Sequence, residues 1–392
     1  MVERPLPVSR LHRSRRPSDR ARGSHTMPPF ATEPPAQPPM PNRHFTSDNV
    51  APAAAAILAA VHAANEGYAA SYGADPWSAR LQAIASEVFE RPVEVFPVAT
   101  GTAANALALS QLAPPYGAIY CHETAHVATD ECGAPEMFCA GAKLIGLPSP
   151  DGKIDLRRLR SEIALADDMG VHHVKPAAVS LTQATEWGTV YRPDEIAAIA
   201  AFAHAHGLGV HMDGARFANA VAHLGCSPAE VTWRAGVDVL SLGATKNGAL
   251  CAEAVVFFDA TQASEFARRR KRAGHLWSKM RFLSAQLVAY LEDDLWLANA
   301  RHANAMAAAL AAGLRDAPGA RLLQPVEANE LFVALPEATV AQLERDGFLF
   351  YRWPYRELDD AVAIRLVTSY ATLAEDVEAF TAALRAGGGG AR

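Results

Sequence analysis

Lys246 stands in Gly243-Ala244-Thr245-Lys246-Asn247-Gly248, a run of small residues directly after the apolar stretch Val239-Leu240-Ser241-Leu242. A lysine beside a strand is commonly a solvated surface residue. Here the flanking glycines point to close approach of the backbone to something else. An amine held partly out of water is a nucleophile toward carbonyl carbon. Asp213 ends a second apolar stretch, Gly209-Val210-His211-Met212, and leads into Gly214-Ala215-Arg216. Alone, such an aspartate reads first as the cap of the next helix. The third element, Gly101-Thr102-Ala103-Ala104-Asn105, follows the short apolar run 93–98. Its backbone N–H groups and the Thr102 hydroxyl could hold a phosphate at a helix N-terminus. It carries neither the Walker glycine pattern nor the dinucleotide one.

Taken singly, each element has a bland reading. Together they supply what pyridoxal phosphate requires: a phosphate holder, a carboxylate for the ring nitrogen and an amine for the aldehyde. Asp213 and Lys246 lie 33 residues apart, which fits one strand-helix-strand step.

Such residues must be carried on strand ends, because ligands in open parallel sheets bind there. The pattern provides the strands. Residues 93–98, 117–120, 177–182, 209–212, 237–242 and 254–258 read as strands. Residues 51–67, the stretch opening at Gly101, and 193–206 read as helices between them. The acidic, proline-bearing start Pro193-Asp194-Glu195 suits a first helical turn. This alternation predicts an α/β body with a mostly parallel sheet covered by helices on both faces. After about residue 285 the pattern changes. A long helical stretch, 282–317, is stopped by Pro318-Gly319, and strands follow at 330–335 and 363–368. That predicts a smaller C-terminal α+β domain, giving a large domain at 44–285 and a small one at 286–387.

Residues 1–43 differ from the rest. They hold ten of the 26 prolines and eight arginines against three acids, and no lysine. A stretch so poor in apolar residues cannot offset its ordering entropy and is expected to be a disordered tail. It lacks the apolar core of a signal peptide. The whole chain carries −6, so the body without the +5 tail is near −11, which argues against a general nucleic-acid binder. The five cysteines form no CxxC pair, and no apolar run is long enough to span a bilayer. These features predict a cytoplasmic protein with no membrane, nucleic-acid or metal partner.

On six motifs the chain resembles the L-threonine aldolases of the β-eliminating lyase group, pyridoxal-phosphate enzymes of fold type I. These are Phe45-Thr46-Ser47-Asp48-Asn49, Tyr72-Gly73-Ala74-Asp75, Gly101-Thr102-Ala103-Ala104-Asn105, His122-Glu123-Thr124-Ala125-His126, Asp213-Gly214-Ala215-Arg216 and Thr245-Lys246-Asn247-Gly248. The likeness covers about 45–385. Thr124-Ala125-His126 with Asp130-Glu131-Cys132-Gly133-Ala134-Pro135-Glu136 brings it nearest to low-specificity threonine and phenylserine aldolases. The resemblance implies cleavage of β-hydroxy-α-amino acids to glycine and an aldehyde. It also implies a small-molecule amino-acid substrate and a homo-oligomer, tetramer or dimer. By the same likeness Lys246 links to the cofactor, Asp213 pairs with its ring nitrogen, and His126 stacks on the ring and helps orient or deprotonate the substrate hydroxyl. Gly101 and Thr102 hold its phosphate, and Arg216 lies near its ring oxygen and the substrate. Ser47 and Arg365 hold the substrate carboxylate, a role that suits a bidentate arginine. Tyr72 lies near the site, from either this chain or a neighbour.

Where many relatives carry a second histidine in Thr-His-Asn-Gly, this chain has Thr185-Glu186-Trp187-Gly188. Glu186 is therefore a candidate base for the β-hydroxyl, with a water activated by the phosphate or by His126 as its rival. Two other activities stay open: β-elimination or racemisation on the same cofactor, and a catalytically inactive binding protein on the same scaffold. The basic run Arg268-Arg269-Arg270-Lys271-Arg272 reads first as a solvated helix face and second as a subunit-interface element. His122 reads equally as packed or functional, and Cys121 and Cys132 read as buried small residues.

Overall fold

A computed structural model describes residues 43–355, 358 and 361–387. The tail expected at 1–43 lies outside the described residues, save Arg43.

Seven strands form the main sheet: β1 (Glu94–Val98), β2 (Gly117–His122), β3 (Lys143–Leu147), β4 (Lys175–Thr182), β5 (Gly209–Gly214), β6 (Val239–Gly243) and β7 (Glu253–Phe257), in the order β1-β7-β6-β5-β4-β2-β3. β2 through β6 pair in parallel with their neighbours, and β7 runs antiparallel to both β6 and β1. The expected mostly parallel sheet is thus found. β7 is reversed because β6 returns through a short turn around Thr245–Asn247 with no crossover helix. β2, β6 and β7 are buried along their whole length, which fits their largely apolar character. β3 escapes the periodicity reading because Lys143 and Gly146 interrupt it at the sheet edge.

A second, antiparallel sheet follows: β8 (Arg321–Leu322), β9 (Glu330–Pro336), β10 (Tyr351–Arg352) and β11 (Ala361–Val367), in the order β10-β11-β9-β8. Its core includes Leu310, Leu331, Val333, Ile364 and Phe380. Phe45 is buried in that same core. Its N–H donates to the Leu349 carbonyl (2.8 Å), and its own carbonyl accepts from Val367 N–H (2.9 Å). The segment bearing Ser47, Asp48 and Asn49 is therefore anchored on the C-terminal sheet.

The helix expected over 282–317 is two helices, Arg281–Leu291 and Leu295–Arg315. The break falls at Asp293 and Asp294, whose φ values of 50° and 56° leave the right-handed helical region. The helix expected over 51–67 is shorter, Ala55–Ala64. The basic run does not form a uniform solvated face. Arg268 is exposed, but Arg270 is buried, donates to the Pro97 carbonyl (3.3 Å) and lies over the Phe96 ring, and burial pulls its guanidinium down to about 10. No helix among the described residues is long and apolar enough to cross a membrane.

Candidate active site

The C-terminal ends of the parallel strands converge on one cavity of about 390 Å³. β1 delivers Thr100, Gly101 and Thr102, while β2 leads through a turn to His126 and Glu131. β5 delivers Asp213, β6 delivers Ser241 and Lys246, and β7 contributes Glu253; all of them line the cavity. Gly243 makes the β5–β6 approach possible. A Cβ there would stand 2.5 Å from the Ala215 carbonyl oxygen and 2.7 Å from Ala215 Cα. This is the close backbone approach that the glycines around Lys246 suggest.

Helix Gly101–Leu112 is capped by Thr100, whose side chain accepts from Ala103 N–H (3.2 Å). The N–H groups of Gly101 and Thr102 have no intrahelical acceptor, as in the first turn of any helix, and suit an anion.

Asp213 is almost fully buried at 2% exposure. Its Oδ1 accepts from Ala215 N–H (3.0 Å) and its Oδ2 from Asn105 Nδ2 (2.8 Å). The same Nδ2 donates to Glu131 Oε1 (2.8 Å), so the amide bridges two carboxylates. His126 Nδ1 lies 2.9 Å from Glu131 Oε1. The Glu131 hydrogen bond raises the His126 imidazole above its ordinary value. Burial opposes this, Asp213 and Glu186 reinforce it, and Lys246 subtracts from it. Glu253 is buried beside Lys246, and its Oε2 accepts from Ala244 N–H (2.7 Å). Burial pushes its carboxyl up to about 7, against the pull of hydrogen bonds from Thr245 and Ala244 and of the Lys246 charge.

Of the residues singled out in the sequence, Gly101, Thr102, His126, Asp213 and Lys246 share the cavity. The others stand apart from its wall. Arg216 is buried in a cluster with Asp48, Asn329 and Glu330. Burial alone would push the Asp48 carboxyl up, but the Arg216 and Lys246 charges and the hydrogen bonds from Asn329 and Arg216 hold it below its ordinary value. Arg365 donates to the Thr46 carbonyl (3.1 Å), next to Ser47, and stacks over Trp353 (4.9 Å) and Tyr351 (5.3 Å). Ser47 caps the short turn Asp48–Val50. Glu186 follows β4, half-buried, close enough for its charge to act on His126 and Arg216. Tyr72 is 51% exposed in a different cleft, with Asp75, Ser78 and Arg270, under the Lys271 ammonium. His122 is packed, bonded to Thr124 and Ser149. Cys121 is buried as expected, whereas Cys132 is exposed. Asn49, Glu131, Ser241 and Glu253 are site residues that the sequence reading gave no role.

The cavity fits pyridoxal phosphate on its own chemistry. A buried carboxylate fixed by two N–H donors, an amine, an imidazole and a helix N-terminus face one space. A mostly parallel α/β body presenting these groups at its strand ends defines the class of fold type I pyridoxal-phosphate enzymes. Within that class the chain belongs to the β-eliminating lyase family, whose model matches residues 44–338. It is 49% identical over 310 residues to the low specificity L-threonine aldolase of Pseudomonas sp. (strain NCIMB 10558), covering 79% of this chain and 89% of the relative. It is 50% identical over 309 residues, with the same coverage, to the one from Pseudomonas aeruginosa. The solved threonine aldolase of Leishmania major superposes with a TM-score of 0.82 at 30% identity, covering 88% of this chain and 98% of that one.

Proposed function

We propose that this protein is a pyridoxal-phosphate-dependent aldolase that cleaves L-threonine, L-allo-threonine or related β-hydroxy-α-amino acids to glycine and an aldehyde. The observation that carries the reading is the meeting of Lys246 and Asp213 in one cavity with the free N–H groups of Gly101 and Thr102. The names of its half-identical relatives agree with it. When bound, the cofactor supplies an electron-withdrawing ring that stabilises negative charge at the substrate α-carbon.

The chain's own residues do the rest. Lys246 would hold the cofactor through its amine. Asp213, fixed by Ala215 and Asn105, would pair with the ring nitrogen. Gly101 and Thr102 bind the phosphate. His126, on the cavity wall, would stack on the ring. Arg365, which donates to the Thr46 carbonyl next to Ser47, would form with Ser47 the carboxylate clamp that sets which α-carbon bond breaks. Arg216, held by Asp48, would help orient the substrate. The proton of the β-hydroxyl passes to a base, for which Glu186 and His126 are the candidates on this chain.

Tyr72 lines a different cleft from the Lys246 cavity, which fits a homo-oligomer, tetramer or dimer, in which it would serve a neighbouring site. Five cysteines without a disulfide among them fit a cytoplasmic setting.

The test is product analysis on the purified chain with pyridoxal phosphate and L-threonine. Glycine and acetaldehyde are expected, and Lys246→Ala is expected to abolish both cleavage and the visible absorption of the bound cofactor. 2-Oxobutanoate and ammonia as products, or full turnover by the Lys246→Ala variant, would refute the reading.

A further inference from the structure

We propose that Glu131 is the positioning residue that makes His126 the base for the substrate hydroxyl. The proposal rests on the aldolase reading and assigns the one proton transfer which that reading leaves open.

The argument begins with one oxygen. Glu131 Oε1 accepts from the Asn105 amide at 2.8 Å and lies 2.9 Å from His126 Nδ1. An oxygen already accepting an amide N–H meets the imidazole as an acceptor again, so Nδ1 carries the hydrogen. A neutral imidazole with its hydrogen on Nδ1 has its basic lone pair on Nε2. Among the described residues none hydrogen-bonds Nε2, and His126 lines the cavity with 34% of its side chain exposed. Glu131 itself is only 4% exposed and touches no open solvent that could compete for the imidazole.

Elimination leads to the same residue. The nitrogen and oxygen bases lining the cavity are His126, Glu131, Asp213, Lys246 and Glu253. Asp213 is committed to the ring nitrogen and Lys246 to the cofactor. Glu253 is tied to the backbone of the turn at Ala244. Glu131 is spent on His126 and Asn105. Glu186 does not line the cavity; its negative charge acts on His126 and strengthens it as a base, as does that of Asp213, while the Lys246 charge weakens it. Asn105 completes the device. Its two N–H hydrogens go to Glu131 and to Asp213, so one amide fixes both the carboxylate behind the base and the carboxylate at the ring nitrogen.

The step balances within the substrate and this side chain. His126 Nε2 takes the β-hydroxyl proton and the oxygen becomes the aldehyde carbonyl. The Cα–Cβ bond breaks with its electron pair left at Cα, which afterwards takes a proton to give glycine.

The experiment compares wild type with Glu131→Gln and Glu131→Ala, each loaded with pyridoxal phosphate. Glu131→Gln keeps an acceptor for Asn105 and His126 but removes the charge. Threonine cleavage is read as kcat and kcat/KM across pH. In parallel, exchange of the glycine α-proton with D2O is followed by NMR, a reaction with no hydroxyl proton to remove. The expected result is a fall in kcat of about 10–100-fold with little change in KM, the size of effect seen when a metal-ligating histidine loses its outer carboxylate. The acid limb of kcat/KM moves to lower pH, because loss of the carboxylate lowers the imidazole. Glycine exchange falls far less than cleavage. An unshifted acid limb with kcat retained overturns the proposal. So does equal loss of exchange, cleavage and visible absorption, which would place Glu131 in cofactor retention. A wild-type protein that neither exchanges glycine nor cleaves threonine fails the aldolase reading itself, and is told apart by that.

Discussion

Arg216 and Asp48, 168 residues apart in the chain, form a two-pronged buried ion pair. Arg216 Nε donates to Asp48 Oδ2 at 2.9 Å and Nη2 donates to Oδ1 at 3.2 Å. The pair joins the end of the central sheet to the segment anchored on the C-terminal one. It also explains why an arginine following Asp213 can be buried: Asp48 and Glu330 supply the countercharge, and Asn329 fixes Asp48 (3.0 Å).

Removing one partner of such a pair leaves an uncompensated charge out of water. Asp48→Ala is expected to destabilise the protein by about 3 kcal/mol, the low end of the range for broken buried pairs, because Glu330 remains. Replacing both residues, Asp48→Ala with Arg216→Met, is expected to cost less than the single change, since no orphan charge is left. Urea unfolding of the three proteins checks this. A double variant less stable than Asp48→Ala would mean that the arginine's packing, not its charge, is what Asp48 supports.

Much of this site was legible in the sequence because its parts sit where strands end. Lys246, Asp213 and Gly101 each follow an apolar run, and a strand end is a place the pattern can mark. Asp48 and Glu131 were not legible as functional residues. Their roles come from partners far away in the chain, Arg216 and the Asn105 amide, and no local spacing encodes such pairings. The two-helix break at Asp293 and Asp294 was hidden for a related reason. Both residues are tolerated in a helix pattern, and only the tertiary structure holds them at positive φ. The motif left the place of Tyr72 open, since a motif fixes residue types and not their position; the structure puts it in a separate cleft.

Glu253 gives a pH prediction. Burial raises its carboxyl from an ordinary 4.5 to about 7. Between those values the folded protein keeps a proton that the unfolded chain releases. Its contribution to stability is therefore complete below pH 4.5 and is lost as pH rises toward 7, by roughly 3 kcal/mol at about 1.36 kcal/mol per pH unit. Glu253→Gln keeps an acceptor for Ala244 N–H and cannot ionise. Its melting temperature relative to wild type is expected to rise by a few degrees between pH 5 and pH 8. A difference that stays flat over that interval would show that the buried carboxyl does not change protonation there.

Gly243 supplies the last prediction. It lies opposite Glu253 in β7, and a methyl group on it would meet the Ala215 carbonyl oxygen at 2.5 Å. Both neighbours are backbone, so neither can swing aside as a flexible side chain could. Relief has to come from parting the end of β5, which carries Asp213, from the end of β6, which carries Lys246. Gly243→Ala is therefore expected to cost roughly 1–3 kcal/mol as an overpacked site and to lower kcat on the order of 10²-fold through misplacement of the two groups. Gly225→Ala is the companion variant. Gly225 has φ +64°, and a methyl group on it would meet nothing within 4 Å, so alanine there costs about 1–2 kcal/mol of backbone strain with kcat unchanged. Stability and threonine cleavage measured on both variants separate the two effects. If Gly243→Ala loses stability but turns over like wild type, the spacing of Asp213 and Lys246 does not depend on that backbone contact.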